Sequence, residues 1–204
     1  MFQFTQIVEL VPDPGDSPAE LAPVRVTNPQ VAEVLFNIAT LLEMQQANPY
    51  RIAAYRNAAR GLLALGEPVS AILARGDRLE VPGLGERLRR KIGELVTSGR
   101  MTFYDDLCEE SLPVDVRALM AVPHVGPRTA LRLAGQLDIH SVAQLYQAAS
   151  SQRLRPYYGF GPRSEQRLAV GAAAVLSREG SGADEASAAL GLTPPAEPRM
   201  SPAA

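Results

Sequence analysis

"VPGLGERLRRKIGELV" occupies residues 81–96, and it opens on a tight turn in which Gly83 and Gly85 flank Leu84. A helix-starting segment follows at once. The same grammar returns twice without gaps, as "VPHVGPRTALRL" at 122–133 and "YYGFGPRSEQRL" at 157–168. Each copy centres its turn on an apolar residue, has glycine at its fifth position and arginine at its seventh (Arg87, Arg128, Arg163). Each also has a basic residue at its eleventh position (Lys91, Arg132, Arg167), one helical turn further on and on the same face. A repeat of this kind weighs more than any single helix. It predicts an all-α chain built from successive helix–turn–helix units.

Outward from the repeat the signals stay helical. "NPQVAEVLFNIATLLEMQQ" offers Asn28 as a cap, Pro29 at the first helical position and Val31, Val34, Leu35, Ile38, Leu41 and Leu42 on one face. "NPYRIAAYRNAARGLLALG" repeats that start with Asn48 and Pro49 and closes near Gly66, and a short helix over 68–75 ends at Gly76. Further helical stretches are expected at 102–110, 114–121 and 141–152. Residues 1–27 are rich in proline and acids and read as an extended or loosely ordered lead-in, with "FQFTQIVEL" alternating like a short strand. After residue 178 the chain is small, polar and proline-rich, the composition of a disordered tail.

The totals narrow the class. The 204 residues suit one domain or two small ones, and with no tryptophan the core must be mainly Leu, Ala, Val and Ile. Apolar runs are short, no signal-like start is present, and a single cysteine, Cys108, excludes an internal disulfide. The expectation is a cytoplasmic protein, nucleoid-associated if bacterial, with no membrane partner. Residues 28–178 carry eighteen basic against fourteen acidic side chains, while each flank carries four acids and one arginine. A mildly basic centre is compatible with nucleic acid.

A tight glycine turn that opens a helix leaves backbone N–H groups pointing outward at the positive end of the helix dipole. Glycine lets a phosphate oxygen come close, and the arginine beside it adds a charge-assisted contact. Gly83 and Gly85, Gly126, and Gly159 and Gly161, with Arg87, Arg128, Arg132, Arg163 and Arg167, therefore form candidate contacts to the sugar-phosphate backbone of DNA. The bland alternative is a helix–helix connection in which glycine serves only the turn. Three copies with their basic residues in register argue against it.

These segments look like helix-hairpin-helix motifs. Their order, with "NPYRIAAYRNAARGLLAL" upstream, resembles the N-terminal part of family X DNA polymerases of the polymerase β type, over roughly 28–175. The resemblance implies a lyase-like helical domain over 28–100 that includes the first hairpin, then the second and third hairpins over 101–178, between the lead-in (1–27) and the tail (179–204). Nothing after 178 resembles a polymerase palm, so the chain is not expected to polymerise on its own. "YDD" at 104–106 reads as charge at the start of a short helix, and His124, His140 and Cys108 do not suggest a metal site.

Lys91 is the only lysine in the chain, against nineteen arginines. The resemblance places it where the family carries the lysine that forms a Schiff base with a 5′-deoxyribose phosphate. Chemistry explains the exception: an aldehyde is attacked by a neutral amine, and a guanidinium is effectively never deprotonated. Arg87 and Arg90 are expected to lower its pKa. The alternative is that Lys91 is one more phosphate-gripping cation, like Arg132 and Arg167. Arg51, Tyr55 and Arg56 match the region lining the family's lyase pocket, although Tyr55 also suits helix packing. The resemblance further implies a monovalent cation, Na or K, on the backbone carbonyls of Leu79, Val81 and Leu84 and of Met120, Val122 and Val125; no other cofactor is required. Two departures stand out. His124 replaces the first glycine of the second hairpin, so that turn and its cation site need not follow the family geometry, and Arg90 sits where the family often has an acid. The expected function is sequence-independent binding at DNA gaps or 5′ ends in base excision repair, with lyase activity through Lys91. The alternatives are a non-catalytic DNA-binding adaptor and a protein-interaction module serving a separate polymerase or nuclease chain.

Overall fold

A computed structural model describes residues 26–189, and among these the secondary structure is entirely helical. The chain begins with α1 (Asn28–Met44), α2 (Pro49–Leu63), α3 (Val69–Ala74) and α4 (Glu86–Ser98). It continues through α5 (Thr102–Ser111), α6 (Val114–Leu119), α7 (Pro127–Leu137), α8 (Val142–Ser150) and α9 (Pro162–Ala189). The strand expected within "FQFTQIVEL" lies outside the described residues.

Side chains, near or distant in sequence, cap several of the helix starts. Thr27, rather than Asn28, caps α1: Thr27 and Gln30 form a reciprocal capping box. The Asn28 side chain instead accepts from Val69 N–H at 2.7 Å and donates to the Glu67 carbonyl at 2.9 Å, which caps α3 from a distance. Asn48 caps α2 as expected, accepting from Tyr50 N–H. Ser141 caps α8, and the preceding His140 bridges the carboxylates of Asp115 and Asp138 with its two ring nitrogens.

The apolar face read from the sequence is the core. Val31, Val34, Leu35, Ile38, Leu41 and Leu42 are all buried, and α1 packs on α2, α4, α5 and α7. The core continues through Leu62, Leu79, Ile92, Leu95, Leu119, Leu133 and Leu145. Glu165 is buried at the start of α9, where its carboxylate accepts from Leu154 N–H at 3.1 Å and from Arg155 Nε at 2.6 Å. That pairing ties the third turn to its own helix, which is how a carboxylate tolerates burial.

Helix α9 runs to Ala189, past the boundary drawn at 178. One expectation needs correction. "YDD" is not simply solvated charge: Tyr104 is buried and Asp105 pairs with Arg100 at 3.0 Å. Among the described residues no helix is long and apolar enough to cross a membrane.

Candidate functional site

The three turns are built alike. In each, the N–H of the fourth residue donates to the carbonyl of the first: Leu84 to Val81, Val125 to Val122 and Phe160 to Tyr157, all at 3.1 Å. The fourth side chains, Leu84, Val125 and Phe160, are buried and pin each turn to the core. The third residues are all left-handed, with φ of 74° at Gly83, 66° at His124 and 88° at Gly159. His124 thus has the same left-handed turn as the two glycines, a conformation that glycine takes without steric cost.

Gly85 and Gly126 are the N-caps of α4 and α7, and no side chain caps either helix. Around Gly85 and Gly161 a Cβ would meet open space, so the absence of a side chain there leaves the helix start accessible. Gly126 is different. A Cβ there would sit 2.7 Å from Asn37 Oδ1, so the second turn is seated directly on α1.

The predicted arginines separate into two groups. Arg87, Arg163 and Arg167 are exposed and form no ion pair among the described residues. Arg128 is paired with Glu43 at the end of α1, which also takes Arg56 at 3.0 Å. Arg132 donates to the carbonyl of Tyr158 and lies over the Phe160 ring, its Cζ 5.1 Å from the centroid, so it braces the third turn. A cavity of about 120 Å³ lies between the second and third hairpins, with His124, Thr129, Arg132, Ser164 and Arg167 in its wall. A larger cleft of about 780 Å³ runs along α8 and contains none of the residues singled out from the sequence.

At the first expected cation site the Leu79 carbonyl accepts from Arg89 Nε at 3.3 Å, which sets a positive charge against that oxygen. In the second turn the Val122 carbonyl takes the Val125 N–H, and Met120 is partly buried.

Lys91 lies on the face of α4 turned toward α2 and α5. Its Nζ donates to the Tyr55 hydroxyl at 3.1 Å and sits 3.0 Å above the centroid of the Phe103 ring. The Tyr55 and Phe103 rings stack with centroids 6.1 Å apart, and Arg51 Cζ lies 5.2 Å from the Phe103 centroid. Burial first, and then the like charge of Arg51, push the Lys91 amine down to about 8, against a small opposing pull from Glu94. Arg87 and Arg90, expected to do this, are exposed and turned to solvent, where water screens them. Burial also raises the Tyr55 phenol, against the charge of Arg51, so the group nearest the amine stays neutral.

Sequence reasoning brought Arg51, Tyr55 and Lys91 together but missed Phe103, Glu43, Glu94 and Asn37. Glu94 accepts from both the N–H and the hydroxyl of Thr102, at 2.7 and 2.6 Å, and so positions the start of α5 that carries Phe103. No spacing signal marks Phe103, because it reaches Lys91 from the next helix.

Comparison with known proteins agrees with this architecture. Residues 26–101 match a helix-hairpin-helix domain, and residues 116–174 match a SAM-like helix-hairpin-helix tandem. The chain is 26% identical over 138 residues to the DNA polymerase/3'-5' exonuclease PolX of Bacillus subtilis (strain 168). That match covers 68% of this chain but only 24% of the relative. The described chain is thus an all-helical succession of helix-hairpin-helix elements, similar to the N-terminal region of family X DNA polymerases.

Proposed function

We propose that this chain grips the sugar-phosphate backbone of DNA without reading base sequence, in a repair or polymerase context, and that Lys91 is the nucleophile of a 5′-deoxyribose-phosphate lyase reaction. The repeated turns, their exposed arginines and the similarity to a DNA polymerase support the first half. One observation carries the second: the chain's single lysine has its amine partly buried against Phe103 and Tyr55, with its pKa pushed down to about 8. At neutral pH this leaves roughly a tenth of the amine unprotonated, against well under a thousandth for an ordinary lysine.

The neutral amine attacks C1′ of the open-chain aldehyde, and loss of water gives an iminium. The iminium acidifies the C2′ proton, which leaves to solvent base. β-Elimination then breaks the C3′–O bond and leaves a 5′-phosphate on the DNA end, and hydrolysis returns the amine. Arg51 and Arg56 supply charge for the 5′-phosphate of the sugar.

Borohydride trapping on a gapped duplex carrying a 5′-deoxyribose phosphate tests the chemistry. A stable crosslink is expected, mapping to Lys91. Lys91→Arg should abolish it while leaving affinity within about threefold, because the charge survives and the nucleophile does not. A wild type that binds the substrate without trapping would reduce the reading to a non-catalytic adaptor for a separate polymerase or nuclease. Affinity should also fall steeply with salt, by a log–log slope of roughly −0.9 per phosphate contact. Salt-indifferent binding would remove the DNA reading.

A further inference from the structure

Two arginines from distant parts of the chain meet at one carboxylate. Arg56 lies on α2 and Arg128 is the second residue of α7, yet Glu43 gives one oxygen to each. Its Oε1 takes Arg56 Nη2 at 3.0 Å and its Oε2 takes Arg128 Nη2. The two guanidinium groups pull the Glu43 carboxyl below its usual range, Arg56 most strongly. None of the three is deeply buried: the side chains are 37% exposed at Arg56 and Glu43, and 64% at Arg128. A carboxylate that offers its two oxygens to two arginines has the shape and charge of the two non-bridging oxygens of a phosphate.

The backbones that carry the two arginines are placed without Glu43. Gly126, the residue before α7, is seated against Asn37 of α1, so packing of backbone on α1 sets where Arg128 begins. Arg56 is carried by α2, which lies along α1. The first turn of α7, which carries Arg128, has no side-chain cap, and the positive end of a helix favours an anion nearby. Removing Glu43 would leave two positive charges carried on neighbouring elements with no carboxylate between them.

We propose that Glu43 is a resident stand-in for a phosphate: it occupies the Arg56–Arg128 pair in the free protein and is displaced by a phosphate of bound DNA. The displaced position joins α2 to the start of α7 in the second hairpin, so one phosphate bridges both. This inference rests on the DNA-binding reading above. Exposed ion pairs are weak enough to exchange, and the competing carboxylate lowers affinity by the strength of the two pairs.

The test uses the full chain and a fluorescently labelled gapped duplex, made with either a 5′-phosphate or a 5′-hydroxyl at the gap. Glu43→Gln keeps the shape and removes the charge, and binding should tighten about three- to tenfold, the equivalent of two exposed ion pairs. Glu43→Ala should do the same, with an unchanged melting temperature to exclude misfolding. In an Arg56→Ala/Arg128→Ala background the gain should vanish. A gain on both duplexes assigns the site to an internal phosphodiester, whereas a gain confined to the 5′-phosphate assigns it to the terminal monoester. The inference is overturned if a wild type that binds DNA gains nothing from either Glu43 variant, or if the gain persists without the arginines. A wild type that does not bind the duplex at all overturns the DNA-binding reading itself, and this inference with it.

Discussion

At the scale of single residues, the environment of Lys91 sets two effects against each other. The face of Phe103 lies 3.0 Å below Nζ and favours the charged amine, while burial and Arg51 disfavour it. Arg51 shares the same ring, so part of the stabilisation that the aromatic face offers is already taken by a second cation. Neutral Tyr55 adds no negative charge to restore the balance. The consequence is a pH dependence with a definite sign. Adduct formation needs the neutral amine, so its rate should climb as pH rises through about 8 and then level off. Arg51→Gln removes the like charge, lets the amine pKa rise toward that of ordinary lysine, and should move the inflection upward while slowing adduct formation at pH 7. Rates of borohydride-trapped adduct against pH would check this; an inflection that stays put in Arg51→Gln would leave burial as the sole cause.

At the scale of elements, the hairpin turn has one demanding position, the third, where the backbone is left-handed. Gly83 and Gly159 satisfy it freely, and His124 does so at a cost, with φ of 66°. His124→Gly should therefore stabilise the protein by about 0.5–1 kcal/mol, the relief of the left-handed strain being partly offset by the greater entropy of glycine in the unfolded chain. His124→Val should destabilise it, since a β-branched side chain is poorest in that conformation. Urea unfolding of the two variants measures both signs, and stabilisation by valine would show that the turn relaxes to another geometry. The fifth-position glycines have no such need: φ is −72° at Gly85 and −83° at Gly126.

At the scale of the whole molecule, α1 is the element that brings the hairpin regions together. It contacts α4, α5 and α7, and a Cβ on Gly126 of the second turn would sit 2.7 Å from Asn37 Oδ1. Asn37 also donates to the hydroxyl of buried Tyr104 at 3.2 Å, so it cannot move aside freely. Gly126→Ala should cost about 1–2 kcal/mol more than Gly85→Ala, because both lose a glycine cap but only the first forces a methyl group into Asn37. Chemical denaturation of the pair gives the difference directly; equal costs would mean that the second turn is not pressed against α1.

What was legible in the sequence is what short-range chemistry dictates. The three turns, the helices that follow them, the Asn48 cap and the apolar stripe of α1 depend on residues a few positions apart, so their spacing carries the information. Lys91 could be singled out because it is the chain's only lysine, and its expected role came from the resemblance of its hairpin to family X polymerases. The partners were another matter. Asn28 caps α3 rather than α1 through contacts 39 and 41 residues away. Lys91 reaches Tyr55 across 36 residues, and Arg128 reaches Glu43 across 85. Arg128 and Arg163 occupy the same place in their repeats, yet the first is paired and the second is exposed without an ion pair among the described residues. The repeat makes them equivalent; the packing of α7 against α1 separates them, because an ion pair depends on distance in space.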